Sequence, residues 1–132
     1  MASKDPLESL LLDAAEVDRT TLAQALGGIL GVDTETGRVV LKPGFNELDT
    51  RRKVLAFLLG MKAASLLGKT ENEAVTNKDV IQQTGMPSGT VNPKLKELRD
   101  RRLVSQSTTG LHYVAPHQVT AAIEHLLGGD ER

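Results

Sequence analysis

The chain has 132 residues, a formal net charge of −1 and no cysteine. This length suits one domain with its own hydrophobic core, with room for an added N-terminal element. The absence of cysteine excludes disulfides and thiolate metal sites. The N-terminus has no signal-peptide pattern, and no run reaches the roughly 18 apolar residues of a membrane span. The sequence therefore predicts a soluble cytoplasmic protein without a membrane partner.

Charge is distributed unevenly along the chain. Residues 1–36 contain two basic and seven acidic side chains, whereas residues 37–132 contain fourteen and ten. Residues 88–103 contain five basic and two acidic side chains. Such a local basic excess favours contact with a phosphate backbone, although a solvated helix face has the same composition.

Residues 1–44 are predicted to form a helical extension that ends in a short strand. Apolar residues at helical spacing indicate a first helix over 6–15, with Asp5 as its cap. A capping-box pattern at Thr21 indicates a second helix that continues to Gly31.

A short strand is predicted over residues 38–42, where β-branched side chains lie between a turn signal at 33–37 and the Pro43-Gly44 pair. It is either a single strand or one half of a small hairpin.

A longer helix is predicted over 49–67, with Asn46 or Asp49 as its cap and Gly68 as its stop. A helix with more than one apolar side must be covered on more than one side. One face is therefore expected to pack on the downstream helices, and another on the N-terminal helices or on a second subunit. Its apolar positions are Val54, Leu55, Phe57, Leu58, Leu59, Met61, Ala63, Ala64, Leu66 and Leu67.

Three cations, Arg51, Arg52 and Lys53, lie at the start of this helix. The helix dipole disfavours positive charge at that end. The cluster therefore indicates either an external anion or a group of solvated side chains.

The most specific pattern in the chain is at residues 76–103, which predict two helices joined by a tight turn. Thr76 or Asn77 can cap the first helix, and Asp79 supplies the reciprocal carboxylate of a capping box. Gly85 is its predicted stop.

Ser88 is the predicted cap of the second helix, but Pro93 leaves the start of this helix open. If the helix begins near Ser88, Pro93 removes a hydrogen bond near the end of its first turn. If Asn92 is the cap, Pro93 becomes the first helical residue. The earlier start is favoured because only that start includes Val91 in the apolar stripe. This stripe consists of Val91, Leu95 and Leu98.

This pattern resembles the helix-turn-helix of the winged-helix families. The positions that carry the resemblance are Gly85, Met86, Ser88, Val91, Leu95 and Leu98. The resemblance spans residues 50–127 and implies a mainly α fold with a small β wing. Residues 45–127 would form the winged helix-turn-helix domain, preceded by the N-terminal helical and short-strand extension at 1–44 and followed by a tail at 128–132.

The same resemblance places the wing and a last helix. Leu103-Val104 would open the first wing strand, 105–110 would form the wing tip, and 111–115 would be the returning strand. Tyr113 is expected to close the core beneath the wing. The last helix, at 117–127, is of a kind that often pairs subunits, so a homodimer is expected.

The resemblance further implies that the second helix enters a groove of double-stranded DNA. Asn92 can make a two-point contact with an adenine edge, and Lys96 can reach a guanine edge or a phosphate. The wing tip has no Arg or Lys, so it is expected to add only backbone contacts, from Thr108, Thr109 or His112. The predicted DNA-binding residues are Ser88, Gly89, Thr90, Asn92, Lys94, Lys96, Arg99, Arg101, Thr108 and Thr109.

The leading hypothesis is a DNA-binding regulator of transcription, or a DNA-organising factor, that acts as a homodimer. The alternative is a winged-helix interaction or assembly module that binds proteins through helix 49–67 or the acidic N-terminal helices. The three histidines have no acidic partners at metal-ligand spacing, and no nucleophile and base stand in a catalytic pattern. No enzyme activity, metal or cofactor is therefore predicted. Three aromatic residues are too few for single-stranded nucleic acid platforms.

Overall fold

The structure is a computed structural model that describes residues 6–10 and 17–128. Half of the predicted first helix over 6–15 lies outside these ranges, as do its cap Asp5 and most of the predicted tail. The described part of that helix, Pro6–Leu10, is a 3₁₀ helix.

The described chain is mainly α-helical with two small antiparallel β-hairpins, which confirms the predicted balance of helix and strand. No helix within residues 6–10 and 17–128 is long and apolar enough to cross a membrane. Two further 3₁₀ turns lie at Pro43–Glu47 and Pro116–Gln118. The elements are α1 (Arg19–Leu26), β1 (Leu30–Val32), β2 (Val39–Leu41), α2 (Thr50–Leu66), α3 (Asn77–Thr84), α4 (Ser88–Asp100), β3 (Ser105–Gln106), β4 (His112–Tyr113) and α5 (Val119–Leu126).

The N-terminal elements differ from the prediction in two respects. Helix α1 is capped by Asp18, whose carboxylate accepts hydrogen bonds from the Thr21 backbone N–H (3.0 Å) and hydroxyl (2.7 Å), so the predicted cap at Thr21 is wrong. The helix also ends at Leu26 rather than Gly31, because two glycines of low helix propensity follow it. Leu30 then begins β1, which pairs with β2 and completes the hairpin of which the sequence showed only one half.

Helix α2 is the central element of the core. Of the two predicted caps, Asp49 is used: its carboxylate accepts a hydrogen bond from Arg52 N–H at 2.9 Å. Every residue from Val54 to Gly60 is buried, and the helix packs against α1, α3, α4, α5 and strands of both hairpins. This confirms the prediction that α2 is covered on more than one side. At Gly60 a Cβ would lie 2.9 Å from Leu30 Cδ2, so the N-terminal hairpin packs tightly on α2.

Helices α3 and α4 are joined by a tight turn, as predicted. Thr76 and Asp79 form the predicted capping box, and Gly85 ends α3 in the left-handed conformation, with φ 77°. Helix α4 begins at Ser88, which confirms the favoured start, but Ser88 is its first helical residue and Pro87 holds the cap position without a side-chain bond. Pro93 lies inside the helix.

In the C-terminal hairpin, His112 points into the core instead of the predicted Tyr113. His112 on β4 is 1% exposed and pairs with Val75, while the neighbouring Tyr113 is half-buried. Because successive strand residues point to opposite faces, the inward position of His112 turns Tyr113 away from the core. The predicted role of Tyr113 in closing the core is therefore wrong. Leu103-Val104 is buried but precedes β3 instead of opening it.

Helix α5 packs its apolar face on α2 and α1. Val119, Ile123 and Leu126 are buried, whereas Leu127, just past the end of the helix, is exposed (65%). Helix α5 therefore exposes little apolar surface through which two subunits could pair. The predicted dimer needs another interface. A single cluster of buried side chains extends from Leu22 to Leu126, so α5 and α1 share one core.

Candidate nucleic-acid interface

The outward face of α4 is polar and exposed, as the helical pattern predicts. Val91, Leu95 and Leu98 are fully buried and hold the helix against α2 and α3. The opposite face is solvent-exposed along the whole helix. Its exposed residues are Ser88, Gly89, Asn92, Pro93, Lys96 and Asp100, and the half-buried Thr90, Lys94, Arg99 and Arg101 flank them.

A chain of hydrogen bonds links Asn92 to the protein interior. Asn92 Oδ1 accepts a hydrogen bond from Asn77 Nδ2 at 2.8 Å, and Asn77 Oδ1 lies 2.5 Å from Nε2 of the buried His112. Asn77 is the first residue of α3 and His112 lies on β4, so three elements meet at this point. The sequence predicts Asn77 only as a possible cap of α3, and it predicts only a backbone contact for His112.

The buried His112 ring is held neutral by its surroundings. Burial lowers the pKa of His112, and the positive charge of Arg99 lowers it further. Because Asn77 Oδ1 can only accept, the neutral ring carries its proton on Nε2 and donates it to Asn77. Nδ1 is buried and has no hydrogen-bond partner among the described residues, so a second proton there would be costly.

This arrangement predicts a loss of stability in mild acid. The pKa of His112 is lowered in the folded state, so its contribution to stability is complete above the unfolded value of about 6.5 and is lost as the pH falls towards the folded value. Over that window His112 should add up to about 1.4 kcal/mol per pH unit to the slope of the unfolding free energy against pH. Urea unfolding of the wild type and of His112→Gln measures this slope. Gln keeps an N–H donor but cannot titrate, so equal slopes in the two proteins would refute the prediction.

Both acidic residues on α4 pair with basic side chains of the same chain. Glu97 accepts hydrogen bonds from Lys94 (3.2 Å) and from Arg51 of α2 (3.2 Å), and these contacts lower the pKa of Glu97, that from Lys94 most strongly. The carboxylate thus faces α2 instead of the outward surface. Lys96 pairs with Asp100 at 2.9 Å, and both side chains are about two-thirds exposed. Exposed pairs of this kind are weak, so Lys96 can exchange Asp100 for a phosphate.

The basic cluster at the start of α2 joins helices together. Arg51 donates to His125 Nε2 (3.1 Å) as well as to Glu97, and Arg52 donates from Nε to the His125 carbonyl oxygen (3.0 Å). These bonds tie α2 to α4 and α5. Arg51 and Arg52 therefore have protein acceptors, so a group of solvated side chains does not describe these two residues. Lys53 Nζ lies 5.9 Å from the centre of the Phe45 ring.

The turn between β3 and β4 presents Thr108 and Thr109 to solvent. The turn is organised internally, with Ser107 Oγ 3.0 Å from Thr109 Oγ1 and Gly110 at φ 88°. His112 cannot make the predicted backbone contact, because its N–H donates to the Val75 carbonyl oxygen at 2.7 Å and its side chain is buried.

The arrangement is a pair of helices joined by a glycine turn, with a β-hairpin beside them and a polar face on the second helix. Comparison of the chain with protein families, with characterised proteins and with solved structures finds no match. Within residues 6–10 and 17–128, no group of three or more Asp, Glu or His side chains is placed to hold a metal ion.

Proposed function

We propose that this protein is a winged helix-turn-helix protein that binds double-stranded DNA and regulates transcription or organises DNA, acting as a homodimer. In this proposal α3 and α4 form the helix-turn-helix, and the β3–β4 hairpin is the wing. Helix α4 enters the major groove. The observation that carries the proposal is the oriented Asn92 side chain on the exposed face of α4, near the start of the helix.

Asn92 has the chemistry to read an adenine. An Asn amide recognises adenine by accepting from N6–H and donating to N7. The bond from Asn77 uses one of the two lone pairs of Asn92 Oδ1, so the second lone pair and both Nδ2 protons suit a base edge. The bond from Asn77 thereby fixes which side of the Asn92 amide donates. A side chain that is already oriented loses less conformational entropy when it binds.

The start of α4 suits a phosphate. The first bonds of the helix run from Thr90 and Val91 N–H to the Pro87 carbonyl oxygen, at 3.0 Å each. The N–H groups of Ser88 and Gly89 precede these bonds, where a helix presents donors and a partial positive charge to an anion. Lys96, Arg99 and Arg101 extend the positive surface along the helix.

Duplex binding should depend on salt through α4. Each lysine or arginine that neutralises a phosphate contributes about 0.9 to the slope of log affinity against log salt. The double variant Lys96→Ala with Arg99→Ala should therefore flatten that slope by roughly 2. Fluorescence anisotropy with a labelled duplex at several salt concentrations measures it.

A control variant with the same change in charge tells whether the slope depends on contacts of α4 or on the net charge of the protein. Arg38→Ala with Lys69→Ala also removes two exposed cations, but from the turn before β2 and the segment after α2 instead of from α4. This control should keep the wild-type slope. Absence of duplex binding at low salt, or equal flattening in both double variants, would refute DNA binding through α4.

The second candidate is a winged-helix interaction or assembly module that does not bind DNA. The observation that favours it is an apolar groove between α1, β1 and the end of α2. Most of α2 itself is covered by the chain, so only its C-terminal turn is open to a partner. This candidate predicts protein binding with no salt-dependent affinity for duplex DNA.

A further inference from the structure

An apolar groove of about 210 Å³ lies between α1, β1 and the C-terminal turn of α2, and we call it the α1 groove. It is lined almost entirely by aliphatic side chains, and it opens to solvent beside Leu67, which is 57% exposed. Its main lining residues are Leu22, Leu26, Leu30, Ala63, Leu66 and Leu67.

The rim of the α1 groove is positively charged. Arg19 lines it and donates a hydrogen bond to the Leu66 carbonyl oxygen at 2.9 Å. Lys42 Nζ donates to the carbonyl oxygen of Gly27, another lining residue, at 2.9 Å. None of the described lining residues is acidic. The groove therefore suits an occupant that has large aliphatic side chains and negative charge.

The chain itself contains a segment with these properties. In the 3₁₀ helix Pro6–Leu10, Leu7 is 66% exposed and Leu10 is 71% exposed. Residues 1–16, which surround it, contain four acidic side chains and one basic side chain. Since Leu10 is mostly in solvent, it does not fill the α1 groove of its own chain.

We propose that Pro6–Leu10 of one subunit docks in the α1 groove of a second copy, with Leu10 as the main apolar contact and Leu7 beside it. The acidic N-terminal residues then lie near Arg19 and Lys42 on the rim. Because each copy contains both a groove and a segment, a two-fold dimer satisfies both sites at once, as the closed symmetry of most homodimers requires.

This interface does not depend on DNA binding. It supplies the contact surface that α5 lacks for the dimer included in the proposed function. It also leaves the exposed face of α4 uncovered, because the groove is built from α1, β1 and the end of α2. Dimerisation and DNA binding can therefore be tested separately on the same protein.

Molar mass by light scattering over a wide range of protein concentration tests the inference. The wild type should reach the dimer mass, whereas Leu10→Asp should keep the monomer mass at the same concentrations. Val40→Asp is the matched control, since Val40 is 50% exposed on β2 and outside the groove, and it should dimerise as the wild type does. Far-UV circular dichroism establishes that each variant is folded.

A mixing experiment tests the reciprocal geometry. Leu10→Asp keeps an intact groove but lacks the docking side chain, whereas Leu67→Asp keeps the docking side chain but has a charged groove. Each variant alone should be monomeric, and an equal mixture should associate more than either, because one of the two interfaces can form.

Three results would overturn the inference: a wild type that stays monomeric, a Leu10→Asp variant that dimerises like the wild type, or a mixture that associates no more than its components. These results concern the dimer and are distinct from a failure of DNA binding. A protein that dimerises but shows no salt-dependent duplex binding would refute DNA binding alone.

Discussion

Gly37→Ala should lower the free energy of unfolding by roughly 2–5 kcal/mol, as the sum of a left-handed backbone cost of about 1–2 and an overpacking cost of about 1–3. Gly37 has φ 75° and closes the turn before β2. A Cβ built there would lie 2.1 Å from the backbone oxygen of Lys69 and 2.9 Å from its carbonyl carbon. The obstacle is main chain, so relief requires the hairpin turn to move away from the connection after α2. Urea unfolding followed by circular dichroism measures the loss.

Gly68→Ala separates the two components of that loss. Gly68 has φ 74°, nearly the same as Gly37, but a Cβ there would meet nothing within 4 Å. Its substitution should therefore cost only the left-handed backbone term, about 1–2 kcal/mol. Equal losses in the two variants would mean that the hairpin turn does not pack against Lys69 as described.

Leu95→Ala should lower the free energy of unfolding by about 2–5 kcal/mol, the range for removing a buried leucine side chain from a well-packed core. Leu95 is 0% exposed at the centre of the stripe that holds α4 on the rest of the core. The adjacent Lys96 has a side chain 69% exposed. Lys96→Ala should therefore change stability by no more than about 0.5 kcal/mol.

The same two variants should differ in the opposite sense in the salt dependence of DNA binding. Lys96→Ala should flatten the salt dependence of duplex binding by about 0.9, whereas Leu95→Ala, measured where it is still folded, should leave the slope unchanged. Stability and binding measured in parallel on both variants check this. If Lys96→Ala destabilises as much as Leu95→Ala, the orientation assigned to α4 is incorrect.

Both ends of α3 were predictable because their signals are local, although the equally local cap of α1 at Asp18 was missed. The capping box of Thr76 and Asp79 and the stop at Gly85 involve groups only a few residues apart, so the pattern contains the whole interaction. The coverage of α2 was predictable because its apolar residues occur on more than one side of the helix. The end of α1 was missed, because Leu30 fits a helical stripe as well as it fits a strand. The glycines at 27 and 28 weaken the helix, and the pairing of Leu30 with Leu41 places Leu30 in a strand.

The sequence by itself determined the helices, the turn between α3 and α4 and the polar face of α4, since each depends on spacing within a few residues. Only the tertiary structure decided which side chains act together. Asn92 is oriented by Asn77 and, through it, by His112, which lies 35 residues from Asn77. Arg51 is similarly committed to His125, 74 residues away. Hydrogen bonds over such separations arise from the packing of whole elements, and no local pattern in the chain encodes them.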